Sequence, residues 1–288
     1  MTIDILICTI DEGITSVPSC LMDKLDGVGY VVSFQYTDTK YLSLVPELLK
    51  SREDVFLTCL EGRGLSANRN NAIAHAKADF CIIADDDCRY TPERLEMMKD
   101  AFLRHKSADM LMFQSLGPDG ELLRPYPSCS FNMHCPPKGY YPISIDLAFR
   151  RESMDDILFD TRFGLGSPFM GCGEEGVWVE TAKRMGKTVL YVPQPLAQTM
   201  EIPKSGRGIF HDSKKLFGYG ALSYFVYGFS AILRCLKYVV LNAPSHQVSI
   251  IGAYKGMLKG IFYIMRDGRK IDKEKMVVRK KGKKQWQI

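Results

Sequence analysis

The sequence lacks a G-x-x-x-x-G-K-[ST] stretch, and with it a P-loop nucleotide site. Its nine cysteines are odd in number and none is spaced as C-x-x-C, which fits neither a disulfide framework nor a cysteine zinc site. A reducing cytosol suits such thiols. No basic segment precedes the first apolar stretch, and Asp4 interrupts it, so residues 1–8 read as a first strand and not as a signal peptide. Long apolar runs are scarce. Only 216–233 is free of charge for 18 residues, the lower limit for a membrane span, and Gly218, Gly220, Gly228 and several tyrosines weaken it as one.

What is present is an ordinary globular composition, 46% hydrophobic and 25% charged, in a chain of 288 residues that can bury a large core. The net charge of +5 is unevenly held. Residues 266–288 carry ten Lys/Arg against three Asp/Glu, a net of +7, so the remainder is slightly acidic. A basic tail of this kind suits an anionic membrane surface or nucleic acid, or is simply a solvated end.

Along the first hundred residues, strands are expected at 3–8, 30–35, 55–59 and 80–84. Helices are expected at 18–25, 42–50, 67–77 and 92–105. Strands separated by helices argue for a parallel sheet with right-handed crossovers, whose ligands bind at the carboxyl ends of the strands. From 107 onward shorter strands at 110–114, 126–133 and 143–149 mix with Pro/Gly turns. The stretch 160–176 holds five glycines and reads as a binding loop. A helix at 177–185, a strand at 188–192, a basic loop at 201–215 and two apolar helices, 216–233 and 247–265, complete the chain. The last two pack as core or lie in a membrane interface. The domains expected are 1–212, a helical region 213–266 and a basic tail 267–288.

The chemistry concentrates where the strand at 80–84 runs into Asp85, Asp86 and Asp87. Three adjacent carboxylates raise one another's pKa unless a cation offsets them, and Mg²⁺ or Mn²⁺ with substrate phosphates is the usual partner. Upstream, Ser66 reads as the N-cap of the helix at 67–77, which would put Arg69 in its first turn. A cation there is disfavoured by the helix dipole, so Arg69 either meets a diphosphate or pairs with one of the aspartates. Glu174 and Glu175 fall at a loop-to-helix junction, where a helix N-terminus favours an ionised carboxylate.

Gly64-Leu65-Ser66-Ala67-Asn68-Arg69-Asn70, then Ile82-Ile83-Ala84-Asp85-Asp86-Asp87, then Phe163-Gly164-Leu165-Gly166 leading to Gly173-Glu174-Glu175, together resemble a family 2 glycosyltransferase of the GT-A fold over residues 1–200. The resemblance implies an α/β protein with a mixed sheet flanked by helices and a C-terminal helical appendage. It implies inverting sugar transfer from a UDP-, GDP- or dTDP-sugar, with Mn²⁺ or Mg²⁺, to a glycan or lipid-linked glycan in cell-surface polysaccharide synthesis. Asp85 and Asp87 then form the D-x-D element, Asp87 as direct metal ligand and Asp85 nearer the ribose, with Asp86 beside them. Glu174-Glu175 holds the place of the family's Glu-Asp pair, and Glu175 is similar to its general base. Thr9 and Asp38 would meet the nucleobase. Two departures stand out: Gln198 lies where members often carry a histidine, leaving His211, Lys204 or Arg207 to meet the diphosphate, and the first strand ends in Cys8-Thr9-Ile10-Asp11. With the tail, the expected place is cytoplasmic, peripheral on the inner face of the membrane, with no nucleic-acid partner.

Other enzymes use a D-x-D strand end. A haloacid-dehalogenase-type phosphohydrolase expects the motif on its first strand, with Thr or Val where Arg89 stands. A sugar-nucleotide nucleotidyltransferase expects a basic glycine-rich signature near the N-terminus, where this chain has Asp11-Glu12-Gly13. The nucleotidyltransferase and a non-enzymatic membrane scaffold remain the alternatives.

Overall fold

The computed structural model describes residues 1–202 and 208–267. Lys204, Arg207 and nearly all of the basic tail lie outside the described residues. Four parallel strands open the chain: β1 (Ile3–Ile10), β2 (Val28–Tyr36), β3 (Val55–Glu61) and β4 (Phe80–Asp85). Side chains alternate between two cores, as a period of two requires. Ile3, Ile5 and Ile7 enter one core with Phe80, Ile82 and Ala84, while Leu6 and Cys8 enter the other with Cys81 and Ile83. The apolar runs of β1, β2 and β4 are therefore buried on both faces, the mark of a covered parallel sheet, and β3 forms its more exposed edge.

Between these strands lie α1 (Glu47–Ser51) and α2 (Leu65–His75), followed by the short strand β5 (Cys88–Arg89) and α3 (Pro92–Arg104). The N-cap of α3 is Thr91, whose side chain accepts from the Arg94 N–H, with Pro92 at the first helical position. The second half adds β6 (Met110–Leu116), β7 (Phe131–Asn132), β8 (Leu147–Arg150), α4 (Arg151–Met154), α5 (Glu174–Arg184) and β9 (Val189–Thr199). The strand order is β3-β2-β1-β4-β8-β6-β9-β5, with β7 pairing β9 off this path. β8 runs antiparallel to both β4 and β6, so the sheet is mixed from there on.

Several expected elements change form. The helix expected at 18–25 is replaced by two 3-10 turns, Asp11–Thr15 and Val17–Cys20. The helix expected at 42–50 is a 3-10 turn, Thr39–Leu44, followed by α1, because Pro46 separates the two. The strand expected at 126–133 shrinks to β7, with Pro125 and Pro127 withholding donors just before it. The strand expected at 188–192 instead runs on to Thr199, and its register against β6 shifts around Pro195.

Three helices finish the described chain: α6 (Ser213–Tyr227), α7 (Ala231–Asn242) and α8 (Ile250–Asp267). The uncharged run 216–233 is not one helix. It breaks at Gly228, whose φ of 59° ends α6. By length and composition 213–242 passes as a membrane span, yet half of its most apolar window is buried within the protein. α6 and α8 cross at closest approach where each presents glycine. A Cβ on Gly220 would strike the Met257 carbonyl, and one on Gly260 the Phe217 carbonyl. The core that these helices share extends to Phe163, Met170 and Val177, so it joins the glycine-rich loop and α5 to the C-terminal helices.

Candidate active site

The carboxyl ends of β1, β2 and β4 open onto a cleft of about 640 Å³. Its walls include Thr9, Gln35, Arg63, Asn68, the three aspartates, Leu165, Thr199 and Glu201. Asp85 is the last residue of β4, level with Cys8 of β1, so the sheet register carries it to the mouth.

The three aspartates have different partners. Asp85 Oδ1 accepts from Arg69 at 3.2 Å and keeps a side-chain exposure of 41%. Asp86 accepts from the Thr9 hydroxyl, and its carbonyl accepts from Ser16 Oγ at 3.0 Å. Burial, reinforced by Asp85 and Asp87 and opposed by the Thr9 hydrogen bond, pushes Asp86 up to about 6. Asp87 Oδ2 accepts from Thr199 Oγ1 at 2.6 Å and from the Glu201 N–H at 3.3 Å. Asp86 thus ties the end of β1 to the acidic turn, and Asp87 ties that turn to the end of β9.

Arg69 sits differently from its expected place. The N-cap of α2 is Gly64 and not Ser66, so Arg69 falls in the second turn. Its guanidinium is 1% exposed and contacts Asp85, Glu174 at 3.3 Å and Glu175 at 3.6 Å. Burial works against its charge, but Asp85, Glu175 and Glu174 more than offset this and hold it protonated. Of the two readings of Arg69, pairing with an aspartate is the one its position shows, and it does not line the cleft where a diphosphate would lie. Arg63, exposed, is the arginine that lines the cleft wall.

The rest of α2 fastens the glycine-rich loop over the site. Ser66 Oγ donates to the Phe163 carbonyl at 2.7 Å, and the Leu65 N–H donates to the Leu165 carbonyl at 2.9 Å. Asn70 exchanges two hydrogen bonds with the Phe159 backbone. Gly164, at φ 103°, lies where a Cβ would meet the Glu174 carboxyl at 3.1 Å, so only glycine lets the loop close over that side chain.

Glu174 and Glu175 open α5 after Gly173, which takes the left-handed conformation. Glu174 is buried. Desolvation and then Glu175 raise it to about 8 against the pull of Arg69, which shifts it toward its protonated form. Glu175 is the more accessible of the two, at 20% side-chain exposure against 6%. Neither lines the cleft itself; both stand one guanidinium away from Asp85.

Of the residues expected at the nucleobase, Thr9 lines the cleft but donates its hydroxyl to Asp86. Asp38 is exposed, caps the 3-10 turn that begins at Thr39 through the Lys40 N–H, and does not line the cleft. Gln198 donates to the Gly117 carbonyl, and the His211 ring meets His246 edge-on; neither reaches the cleft. Gln35, Arg63, Thr199 and Glu201 were not expected. Only Arg63 had a local signal, its place between two glycines.

Among the described residues no group of three or more His, Cys, Asp or Glu stands together in a way that could hold a metal ion alone. Hard oxygen donors are present in Asp85 and Asp87, and Mg²⁺ commonly takes one or two carboxylates and completes its shell with substrate phosphates and water. The donor set fits an ion of that type shared with a ligand.

Residues 41–154 match the model for Glycosyl transferase family 2. No curated protein matches the chain. Among solved structures, residues 1–349 of TarS from S. aureus superimpose at a TM-score of 0.54 and 14% identity, covering 93% of this chain and 92% of that one. The same protein with UDP gives 0.55 and 15%, covering 96% and 89%, and with UDP-GlcNAc 0.50 and 14%, covering 94% and 93%. At such identity these likenesses establish the fold. Over residues 41–154 the chain is similar to glycosyltransferase family 2, and its fold is of the GT-A type.

Proposed function

We propose that this glycosyltransferase takes a sugar from a nucleotide-sugar donor and delivers it, with inversion, to a hydroxyl of a glycan or lipid-linked glycan in cell-surface polysaccharide synthesis. The observation that carries the reading is the Arg69 bridge. One buried cation joins Asp85, at the mouth of the donor cleft, to Glu174 and Glu175, so donor carboxylates and candidate base form a single cluster.

In this reading the cleft beside Arg63 takes the donor's diphosphate. Asp87 and Asp85 would hold a Mn²⁺ or Mg²⁺ shared with it, which when bound would supply charge stabilisation to the departing group. Glu175 accepts the proton of the acceptor hydroxyl as its oxygen bonds to the anomeric carbon. The electrons of the breaking carbon–oxygen bond pass to the diphosphate. Direct displacement from the opposite face inverts the anomeric centre. Glu174, protonated, packs beneath Gly164 and keeps the cluster from carrying a third negative charge around one arginine.

TarS structures hold UDP and UDP-GlcNAc, which makes uridine nucleotides the first to try, ahead of GDP- and dTDP-sugars. Thermal shift with each nucleotide and Mn²⁺ or Mg²⁺, followed by donor hydrolysis across a sugar panel, tests the reading. A shift that needs both nucleotide and metal is expected. The absence of any nucleotide-dependent shift across the panel would overturn it.

A further inference from the structure

We infer that the outer faces of α7 and α8 form a docking surface for an anionic lipid bilayer, placing the transferase on a membrane without spanning it. On α7 and the turn before it, Phe229, Leu233 and Leu241 are 72%, 71% and 67% exposed, with Leu236 and Val240 between them. Their spacing sets them on one side of the helix, opposite Ala231, Cys235 and Val239, which are buried in the helical core. α7 is thus apolar on both sides. A surface helix that only closed a core would carry polar residues outward. α8 repeats the pattern with Ile251, Phe262 and Met265 on its outer side.

The charge around these residues selects the partner. Arg234 and Lys237 stand among the exposed leucines of α7, and Lys255, Lys259 and Arg266 on the outer side of α8. From 213 to 266 the sequence has seven Lys/Arg and no Asp or Glu, and 268–288 adds nine Lys/Arg against two acids. A second copy docked face to face would set Arg234 and Lys237 against their own counterparts, with no carboxylate in the segment to offset them. An anionic leaflet supplies both the apolar layer and the opposite charge, the combination that amphipathic interfacial helices use. Spanning does not fit, because the run bends at Gly228 and is half buried within the protein. The surface rests on the proposed function only for its meaning: a lipid-linked acceptor would lie in the same plane as the enzyme.

The test is co-sedimentation of the full-length chain with phosphatidylcholine vesicles with and without phosphatidylglycerol, at low and high salt. Wild type should bind only the anionic vesicles and release in high salt. The double variant Leu233→Ser/Leu241→Ser should bind about tenfold or more weakly at unchanged Tm, since both side chains face outward. Arg234→Gln/Lys237→Gln, which removes both charges, keeps every exposed leucine and gives up the stacking of Arg234 on Tyr227, should weaken binding and lessen its salt dependence. No binding by wild type, or wild-type binding by both variants, would overturn the inference. So would a wild-type dimer in sedimentation velocity that Leu233→Ser/Leu241→Ser turns into monomer, because the face would then be a contact between copies. Nucleotide-dependent thermal shift, run beside it, keeps the two readings apart: vesicle binding without any such shift would sink the transferase mechanism and leave the membrane face standing.

Discussion

At the scale of single residues, the proposed mechanism divides the chemistry between the acidic turn and the Glu pair. Asp87→Ala removes the carboxylate that accepts from Thr199 at the cleft and that the proposed mechanism assigns to the metal. It should abolish metal-dependent nucleotide binding while the circular dichroism spectrum stays that of wild type; unchanged nucleotide affinity with Mn²⁺, read by calorimetry, would reassign the ligand. Glu175→Gln keeps volume and hydrogen bonding but cannot take a proton. Transfer should therefore fall about a hundredfold or more with donor affinity retained, and a fully active variant would move the base elsewhere. These residues were legible because their signals are local: adjacent carboxylates after an apolar run, and a Glu pair after a glycine loop. Arg69 was legible as a feature but not in its role. Its partners come from 16 and more than 100 residues away, and only folding shows that three carboxylates claim it. Gln35, Thr199 and Glu201 left no trace in the sequence, since nothing short of the sheet order brings the ends of β2 and β9 to the end of β4.

At the scale of elements, period and punctuation foretold the four parallel strands well, the helices between them in part and the second half poorly. β1, β2 and β4 alternate side chains between two cores, so their apolar runs are unambiguous, while the edge strand β3 packs one face only. β9 is the contrary case. Pro193 and Pro195 argue against a strand, yet the chain absorbs them by shifting register against β6 and carries Thr199 to Asp87. The C-terminal helices were read from apolar spacing, but glycine sets their packing. Gly260→Val places a branched side chain against the Phe217 carbonyl, where no flexible neighbour can yield. Overpacking of this kind costs about 1–3 kcal/mol or more. Because the same core includes Phe163, Met170 and Val177, the damage should reach the loop that covers Glu174. Urea unfolding should show a lower midpoint, and activity should fall with it; an unchanged midpoint would mean that the helices are not clamped at this crossing.

For the whole molecule, the buried acids make stability depend on pH in a definite direction. Burial raises Asp146 to about 6 despite Arg124, Ser115 and Tyr126, and Asp86 likewise stands at about 6, both above the ordinary 3.8. Glu174 stands at about 8 against 4.5. A carboxyl whose folded pKa is raised binds more protons when folded than when unfolded, so stability falls as pH rises through the interval between the two values. All three contribute to that fall up to about pH 6, and between about 6 and 8 Glu174 contributes alone among them. Glu174→Gln removes the titration while preserving the packing beneath Gly164. Thermal unfolding at pH 6, 7 and 8 should then show wild type losing stability across the range and the variant holding nearly level, with the largest difference in Tm at pH 8. Parallel slopes in the two proteins would mean that Glu174 is already ionised at neutrality, and the Arg69 cluster would carry three negative charges. In that event Glu174 would compete with Glu175 for the acceptor's proton, and the single-base mechanism would need both carboxylates replaced to be tested.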